Sequence, residues 1–297
     1  MNEKIRHITV IIPTSNTYDL VKTAIMAHEA YHDKNKYLLD YIVVENSSNE
    51  CDKIKIEQLN DRVKFILNDV NFHEQFKDQP HAMQNVGSFY NASGCEIGIH
   101  AAKSEFVFLS HNDALPCSHY FWDTVFEKFD EGFTLIGMIQ DPGRIKAAHC
   151  SGLFTTLKFA TEVTRKYTLF PRYMHSYPMN IPNNEIVQVW DACDALSFHG
   201  RKTKGIKEFI FENTQNDKSL ASINSNHQDN IKFKSLHPHV SRCYDRTGRI
   251  IYLHCGRGTY KSRGVYAKKN KKNNILDWFE FIETSLGVEL KFEVEKQ

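Results

Sequence analysis

Four short polar clusters each follow an apolar run: Thr14-Ser15-Asn16, Glu45-Asn46-Ser47-Ser48, Asn68-Asp69 and His111-Asn112-Asp113. A carboxylate such as Glu45 can accept hydrogen bonds from a base N–H or from ribose hydroxyls. Further along, Asp191 and Asp194 stand three residues apart, a spacing that puts both on one face of a helix and offers a proton acceptor. Near the end, Leu253-His254-Cys255-Gly256-Arg257-Gly258 closes an apolar run, with Lys261 following. Two glycines let the backbone approach a phosphate closely, and the Arg257 fork between them supplies a planar bidentate donor. Each feature also has a plainer reading. Asn, Ser and Asp make turns after strands, paired acids decorate exposed helices, and His254 can simply end a buried hairpin strand.

The elements that must position these groups decide between the readings. Residues 8–13 (ITVIIP), 38–44, 62–67 and 105–109 are short apolar runs of the kind buried on both faces of a sheet. Helical spacing over about 20–31 and 92–103 separates them, so the pattern predicts βαβ units, a mostly parallel sheet and helices on both faces. In such a sheet a ligand crevice opens at the carboxyl ends of the strands, where all four clusters fall. Further expectations are a strand over 133–139, a helix over 153–167, a long loop over 171–184, a helix over about 185–199 and a strand over 250–254. A terminal helix over 275–286 has Trp278, Phe279 and Ile282 on one face. Seven cysteines, odd in number and without a C-x-x-C pair, read as reduced and mostly buried thiols. No run of about 18 apolar residues offers a membrane span, and the first residues lead straight into a strand-like run. The expected location is therefore cytoplasmic.

Val10-Ile11-Ile12-Pro13-Thr14, Ile42-Val43-Val44-Glu45-Asn46-Ser47-Ser48 and the stretch from Glu96 to Leu109 together resemble, in order and spacing, the family 2 glycosyltransferases of the GT-A fold. Ser151-Gly152-Leu153-Phe154 is similar to that family's small-residue segment on the acceptor side. The resemblance implies a Rossmann-like GT-A core over residues 1–206 and a C-terminal acceptor-side extension over 207–297. It implies transfer of a sugar from a nucleotide-sugar donor, expected to be UDP-linked, to an acceptor hydroxyl. It places Pro13, Thr14, Asn16, Glu45 and Asn112 around the nucleotide, Arg257 and Lys261 at the diphosphate, and Asp191 or Asp194 as the base. The family signature L-D-x-D-D reads Leu109-Ser110-His111-Asn112-Asp113 here, so one carboxylate of three remains. Asp113, with His111 and a late His254, would then hold a divalent cation, Mn²⁺ or Mg²⁺, and the imidazoles suit Mn²⁺ better. The Asn that the family carries in the preceding helix is replaced by Glu96.

Net charge is +1, yet nine of the 37 Lys and Arg residues fall between Arg246 and Leu276 with no acidic residue among them. The remaining 28 face 36 acids, a net −8. Such a segment suits a diphosphate, an anionic membrane surface or nucleic acid. The expected acceptor is a surface glycan or lipid-linked saccharide. A modified DNA base reached through the basic segment and peripheral contact with the inner membrane surface are the further partner expectations. The lost carboxylates motivate one rival, a catalytically inactive GT-A module that binds nucleotide or serves as a scaffold.

Overall fold

The computed structural model describes residues 4–47, 52–140, 145–171, 191–236, 238, 240–256 and 274–286. Its strands are β1 (Arg6–Thr14), β2 (Tyr37–Glu45), β3 (Val63–Leu67), β4 (Phe106–Ser110), β5 (Ala114–Pro116), β6 (Leu135–Gly137), β7 (Gly152–Thr156), β8 (Glu208–Ile210), β9 (Glu212–Asn213), β10 (Ser241–Tyr244) and β11 (Ile250–His254). The helices are α1 (Tyr18–Ala30), α2 (Lys53–Glu57), α3 (Phe72–Gln75), α4 (Pro80–Gln84), α5 (Val86–Ala101), α6 (Phe121–Asp130), α7 (Leu157–Lys166), α8 (Asp194–Gly200), α9 (Leu220–Ile223) and α10 (Asn274–Leu286).

Seven strands form the main sheet in the order β3-β2-β1-β4-β7-β6-β8. The β3-β2-β1-β4 block is parallel, and β7 alone runs against its neighbours. This is the mixed, mostly parallel α/β architecture expected. Alternate residues of β1 explain the two layers. Ile8, Val10 and Ile12 pack with α1 and α6 through Val21, Ile25, Trp122 and Phe126. Ile11 faces the other way, against Cys95 and Ile99 of α5, in a cluster that also takes in α7 and α8. The α5 contact is close because Gly94 and Gly98 share a helix face. A Cβ on Gly98 would stand 2.3 Å from Ile11 Cγ2, and one on Gly94 would stand 2.9 Å from Pro13 Cβ.

A second sheet, β5-β11-β10-β9, is antiparallel. Strands from beyond residue 206 enter both sheets: β8 pairs with β6, and β11 pairs with β5 immediately after the His111-Asn112-Asp113 turn. The apolar face of α10 is buried, with Trp278 and Ile282 packed among Leu20, Leu115, Phe233 and Leu253.

Two local expectations need correction. Residues 153–167 are not one helix: Gly152–Thr156 is strand β7, and only Leu157–Lys166 is helical. Thr156 ends the strand and caps the helix, its hydroxyl accepting from the Phe159 N–H at 3.2 Å. The helix expected over 185–199 begins at Asp194, with Asp191 ahead of it; residues 185–190 lie outside the described residues. The loop expected over 171–184 lies almost wholly outside them too.

Candidate functional site

The parallel strands bring Thr14, Glu45, Leu67 and Ser110 to one edge of the sheet. Thr14 is in register with Glu45, and Glu45 with Leu67. The strand order turns back at β1, with β2 and β3 on one side and β4 on the other. That is the topological switch point at which open α/β sheets leave a crevice. Here it opens into a cleft of about 1520 Å³, lined by Pro13, Thr14, Asn112, Asp113, Asp191 and His254 among others.

The amide and hydroxyl groups of the loops lock one another in place. The Asn112 side-chain amide donates to Thr14 Oγ1 at 3.1 Å and to Thr17 Oγ1 at 2.5 Å, tying the β4 turn to the start of α1. Glu45 is 2% exposed, and its carboxylate accepts from the backbone N–H groups of Asn16 (3.0 and 3.2 Å) and Ser47 (2.8 Å). Asn16 sits at φ 49°, a left-handed conformation that Asn tolerates. Glu45 thus shapes the loop from within, while its neighbours Asn46 and Ser47 line the cleft. Asn68 donates to Asn46 Oδ1 at 2.8 Å and to Ser93 Oγ at 3.1 Å, joining β3 to β2 and α5. Glu96 accepts from the Thr168 hydroxyl and the Leu169 N–H, so it fixes the chain after α7.

Around Asp113 the groups differ in kind. His254 Nε2 lies 3.5 Å from Asp113 Oδ1, and His111 Nδ1 lies 3.8 Å from the same oxygen. Asp113, His111 and His254 each offer a ligand atom, all within 4.8 Å of one another. The pairing of β11 with β5 produces this meeting: Ala114 is in register with His254, and the Cys255 N–H donates to the Asp113 carbonyl at 2.9 Å. Gly256 sits at φ 60°, and a Cβ added there would stand 3.4 Å from the His254 ring. Arg257 and Lys261 lie outside the described residues, as does most of the basic segment 246–276.

The antiparallel strand β7 brings His149 and Cys150, which sequence reasoning missed, beside Ser151 of the segment it had singled out. Gly152 pairs with Ser110, so His149, Cys150 and Ser151 arrive at the same edge from the opposite direction. His111 Nε2 lies 3.3 Å from Cys150 Sγ, and the Asn91 amide donates to both, at 2.6 and 3.4 Å. Ser151 Oγ stands between two rings, 2.8 Å from His149 Nδ1 and 3.4 Å from His254 Nδ1. Tyr252 OH donates to the Ser151 carbonyl at 2.6 Å and meets Ser110 Oγ at 3.1 Å.

Electrostatics follow from burial and neighbours. Burial opposes a charge on His111, but the Cys150 sulfur and the Asp113 and Asp191 carboxylates outweigh it and hold the ring above the ordinary imidazole value. Burial, with two neighbouring imidazoles, pushes His149 down despite the Cys150 sulfur. A hydrogen bond from Cys193 holds the Cys150 thiol well below its ordinary value against the cost of burial, and His149 and His111 add to the effect. Burial keeps the Tyr252 hydroxyl protonated and able to donate.

The two acids take unequal places. Asp191 lines the cleft. Asp194 is 1% exposed, and its carboxylate accepts from the Asp191 N–H at 2.8 Å. Between them Cys193 adopts φ 65°, a left-handed conformation unusual for its type.

No family model and no curated protein matches the sequence. Among solved structures, the chain is similar to the mannosyltransferase PcManGT from Pyrobaculum calidifontis in complex with GDP-Man and Mn²⁺, at 14% identity and a TM-score of 0.40, over 54% of this chain and 47% of that one. It is also similar to S. aureus TarS 1-349 in complex with UDP-GlcNAc, at 13% identity and a TM-score of 0.37, over 55% and 48% of the two chains. The same protein in complex with UDP aligns at 16% identity and a TM-score of 0.38, over 57% and 52%. Each match spans about half the length of the protein matched.

Proposed function

We propose that this chain transfers a sugar from a nucleotide-sugar donor, UDP-linked, to an acceptor hydroxyl. The observation that carries the reading is the meeting of Asp113, His254 and His111 at the switch point of the sheet, facing a cleft roomy enough for donor and acceptor together. Typical small-molecule pockets occupy roughly 300–1,000 Å³.

In this reading the nucleotide lies over the ends of β1 and β2, against Pro13, Thr14 and the loop that Glu45 and Asn16 shape. Asn112 fixes Thr14 there. One carboxylate with two imidazoles fits Mn²⁺ better than Mg²⁺, which prefers an all-oxygen octahedral shell. A divalent ion bound by Asp113, His254 and His111 would neutralise charge on the departing diphosphate. Asp191 takes the proton from the acceptor hydroxyl. Asp194 positions it by holding its backbone N–H, so the pair divides into a base and a positioning residue. Arg257 and Lys261 remain the proposed cationic partners of the diphosphate. A surface glycan or lipid-linked saccharide is the proposed acceptor. Acceptance of a modified DNA base would show as salt-sensitive duplex binding that weakens on substitution of Lys268, Lys269, Lys271 and Lys272.

Nucleotide release from a panel of UDP-, GDP- and CMP-sugars, with and without Mn²⁺, tests the reading. Release should depend on Mn²⁺, and Asp113→Ala should abolish that dependence and lower turnover at least about a hundredfold. Undiminished turnover in Asp113→Ala would remove the metal role. Ser110 and Asn112, standing where the resemblance leads one to expect carboxylates, favour a second reading as a binding or scaffold module. Nucleotide that binds but is never consumed, whatever acceptor is offered, would establish it.

A further inference from the structure

We propose that His111, His149 and Cys150 form a second cation site, beside the Asp113–His254 position, for a borderline or soft divalent ion such as Zn²⁺. One ligand atom from each of the three lies within 4.8 Å of the others. His111 Nε2 and Cys150 Sγ are 3.3 Å apart. A tetrahedral ion with Zn–N near 2.0–2.1 Å and Zn–S near 2.3 Å sets such ligands about 3.6 Å apart, so this edge of the tetrahedron is almost formed. The lone pairs also converge. The Asn91 amide nitrogen donates to His111 Nε2 at 2.6 Å and to Cys150 Sγ at 3.4 Å, so a single donor already serves both. A cation between the two ligands would take over what that amide does.

The two ring nitrogens of His111 face opposite ways. Nε2 faces Cys150, and Nδ1 faces Asp113 at 3.8 Å. A neutral imidazole has one lone pair, so with an ion on Nε2 the proton sits on Nδ1, directed at the Asp113 carboxylate. A carboxylate hydrogen-bonded to a ligand ring in this way fixes the ring and strengthens its donor nitrogen, and a small shift from 3.8 Å would close that bond. Ser151 anchors the second ring at Nδ1, with its backbone N–H donating there at 3.2 Å and its hydroxyl 2.8 Å away. All three ligands border the cleft, so a fourth position stays open to it, as in zinc sites that bind water or substrate. Thiolate and imidazole select Zn²⁺ or Co²⁺ over Mg²⁺ or Ca²⁺. Binding displaces the Cys150 thiol proton to solvent, leaving the sulfur as thiolate on the ion. Because His111 belongs to both groups, an ion at one position withdraws a ligand from the other.

Co²⁺ titration of the full chain reads the site directly, without reference to sugar transfer. The expected result is a thiolate-to-Co²⁺ charge-transfer band that Zn²⁺ displaces and excess Mg²⁺ does not. The band should vanish in Cys150→Ser and need at least about tenfold more Co²⁺ in His149→Gln. It should persist in His254→Gln, because His254 supplies no ligand to this site. Co²⁺ binding without a sulfur band, no binding at all, or a band that survives Cys150→Ser would overturn the proposal. Should Cys150→Ser fail to fold, zinc-edge X-ray absorption on the unsubstituted protein decides instead. One sulfur among nitrogen or oxygen neighbours is expected, and a shell without sulfur overturns it. A chain that binds Co²⁺ in this way yet releases no nucleotide would leave this site standing and remove the transferase reading.

Discussion

Asp191 and Asp194 differ by burial and by partner, and the proposed function gives them separate work on that basis. Asp191→Asn should lower kcat by about 10²–10⁴-fold, the usual range for removing a general base, while the KM for the donor stays nearly unchanged. Steady-state rates at saturating donor would show it, and a parallel loss of donor binding would argue against the assignment. His28 carries a different consequence, for stability. It is fully buried among Tyr41, Phe108, Phe121 and Trp122, and neither ring nitrogen has a hydrogen-bond partner among the described residues. Burial, helped by His32, pushes it down from 6.5 to about 3. Below pH 6.5 the unfolded chain takes a proton there that the folded chain refuses, so stability is lost as pH falls from 6.5 toward 3. The slope should approach about 1.4 kcal/mol per pH unit and be missing in His28→Leu, as read by denaturant unfolding across that window.

At the scale of elements, the seating of α5 on β1 holds the floor of the cleft. Gly98→Ala would drive a methyl group into Ile11, which is fully buried and has no room to move aside. A loss of about 1–3 kcal/mol is expected, seen as a lower denaturation midpoint. Gly87, in the same helix, has open space around it, so Gly87→Ala should leave that midpoint unchanged or raise it slightly. Strand β7 is the element that sequence pattern misread. Gly152–Thr156 is a short apolar run with threonines, and periodicity over so few residues does not separate a strand from the first turn of a helix. Its β-branched residues, and a Thr placed to cap the following helix, were the available signal. Missing β7 meant missing His149 and Cys150, because only an antiparallel strand brings its amino end to the edge where parallel strands deliver their carboxyl ends.

Across the whole molecule the two sheets meet at the candidate site, and Tyr252 spans the junction. Its hydroxyl reaches Ser151, beside β7 of the large sheet, from β11 of the small one. Tyr252→Phe would leave the buried Ser151 carbonyl without that donor and should cost about 1–3 kcal/mol. A calorimetric scan should show one transition at lower temperature; two separated transitions would mean that the sheets unfold independently. The same junction explains why the chain beyond residue 206 does not form a separate layer. β8 extends the large sheet, β11 delivers His254 to Asp113, and α10 seals the far side of the small sheet with Trp278 and Ile282. Among the described residues, no helix is long and apolar enough to cross a membrane.

Order along the chain determined a good deal unaided. Short apolar runs alternating with helical periodicity already required a mostly parallel sheet, since the period of burial is a local property of sequence. The polar residues ending those runs had to share one edge, and Thr14, Asn112 and Asp113 line the cleft there for that reason. The six described cysteines are all buried and free, as composition and spacing suggested. What only the tertiary structure decided are the meetings between distant segments: Asp113 with His254, His111 with Cys150, and Glu45 turned inward onto Asn16. These depend on strand direction and register, which non-local pairing sets and no local pattern encodes.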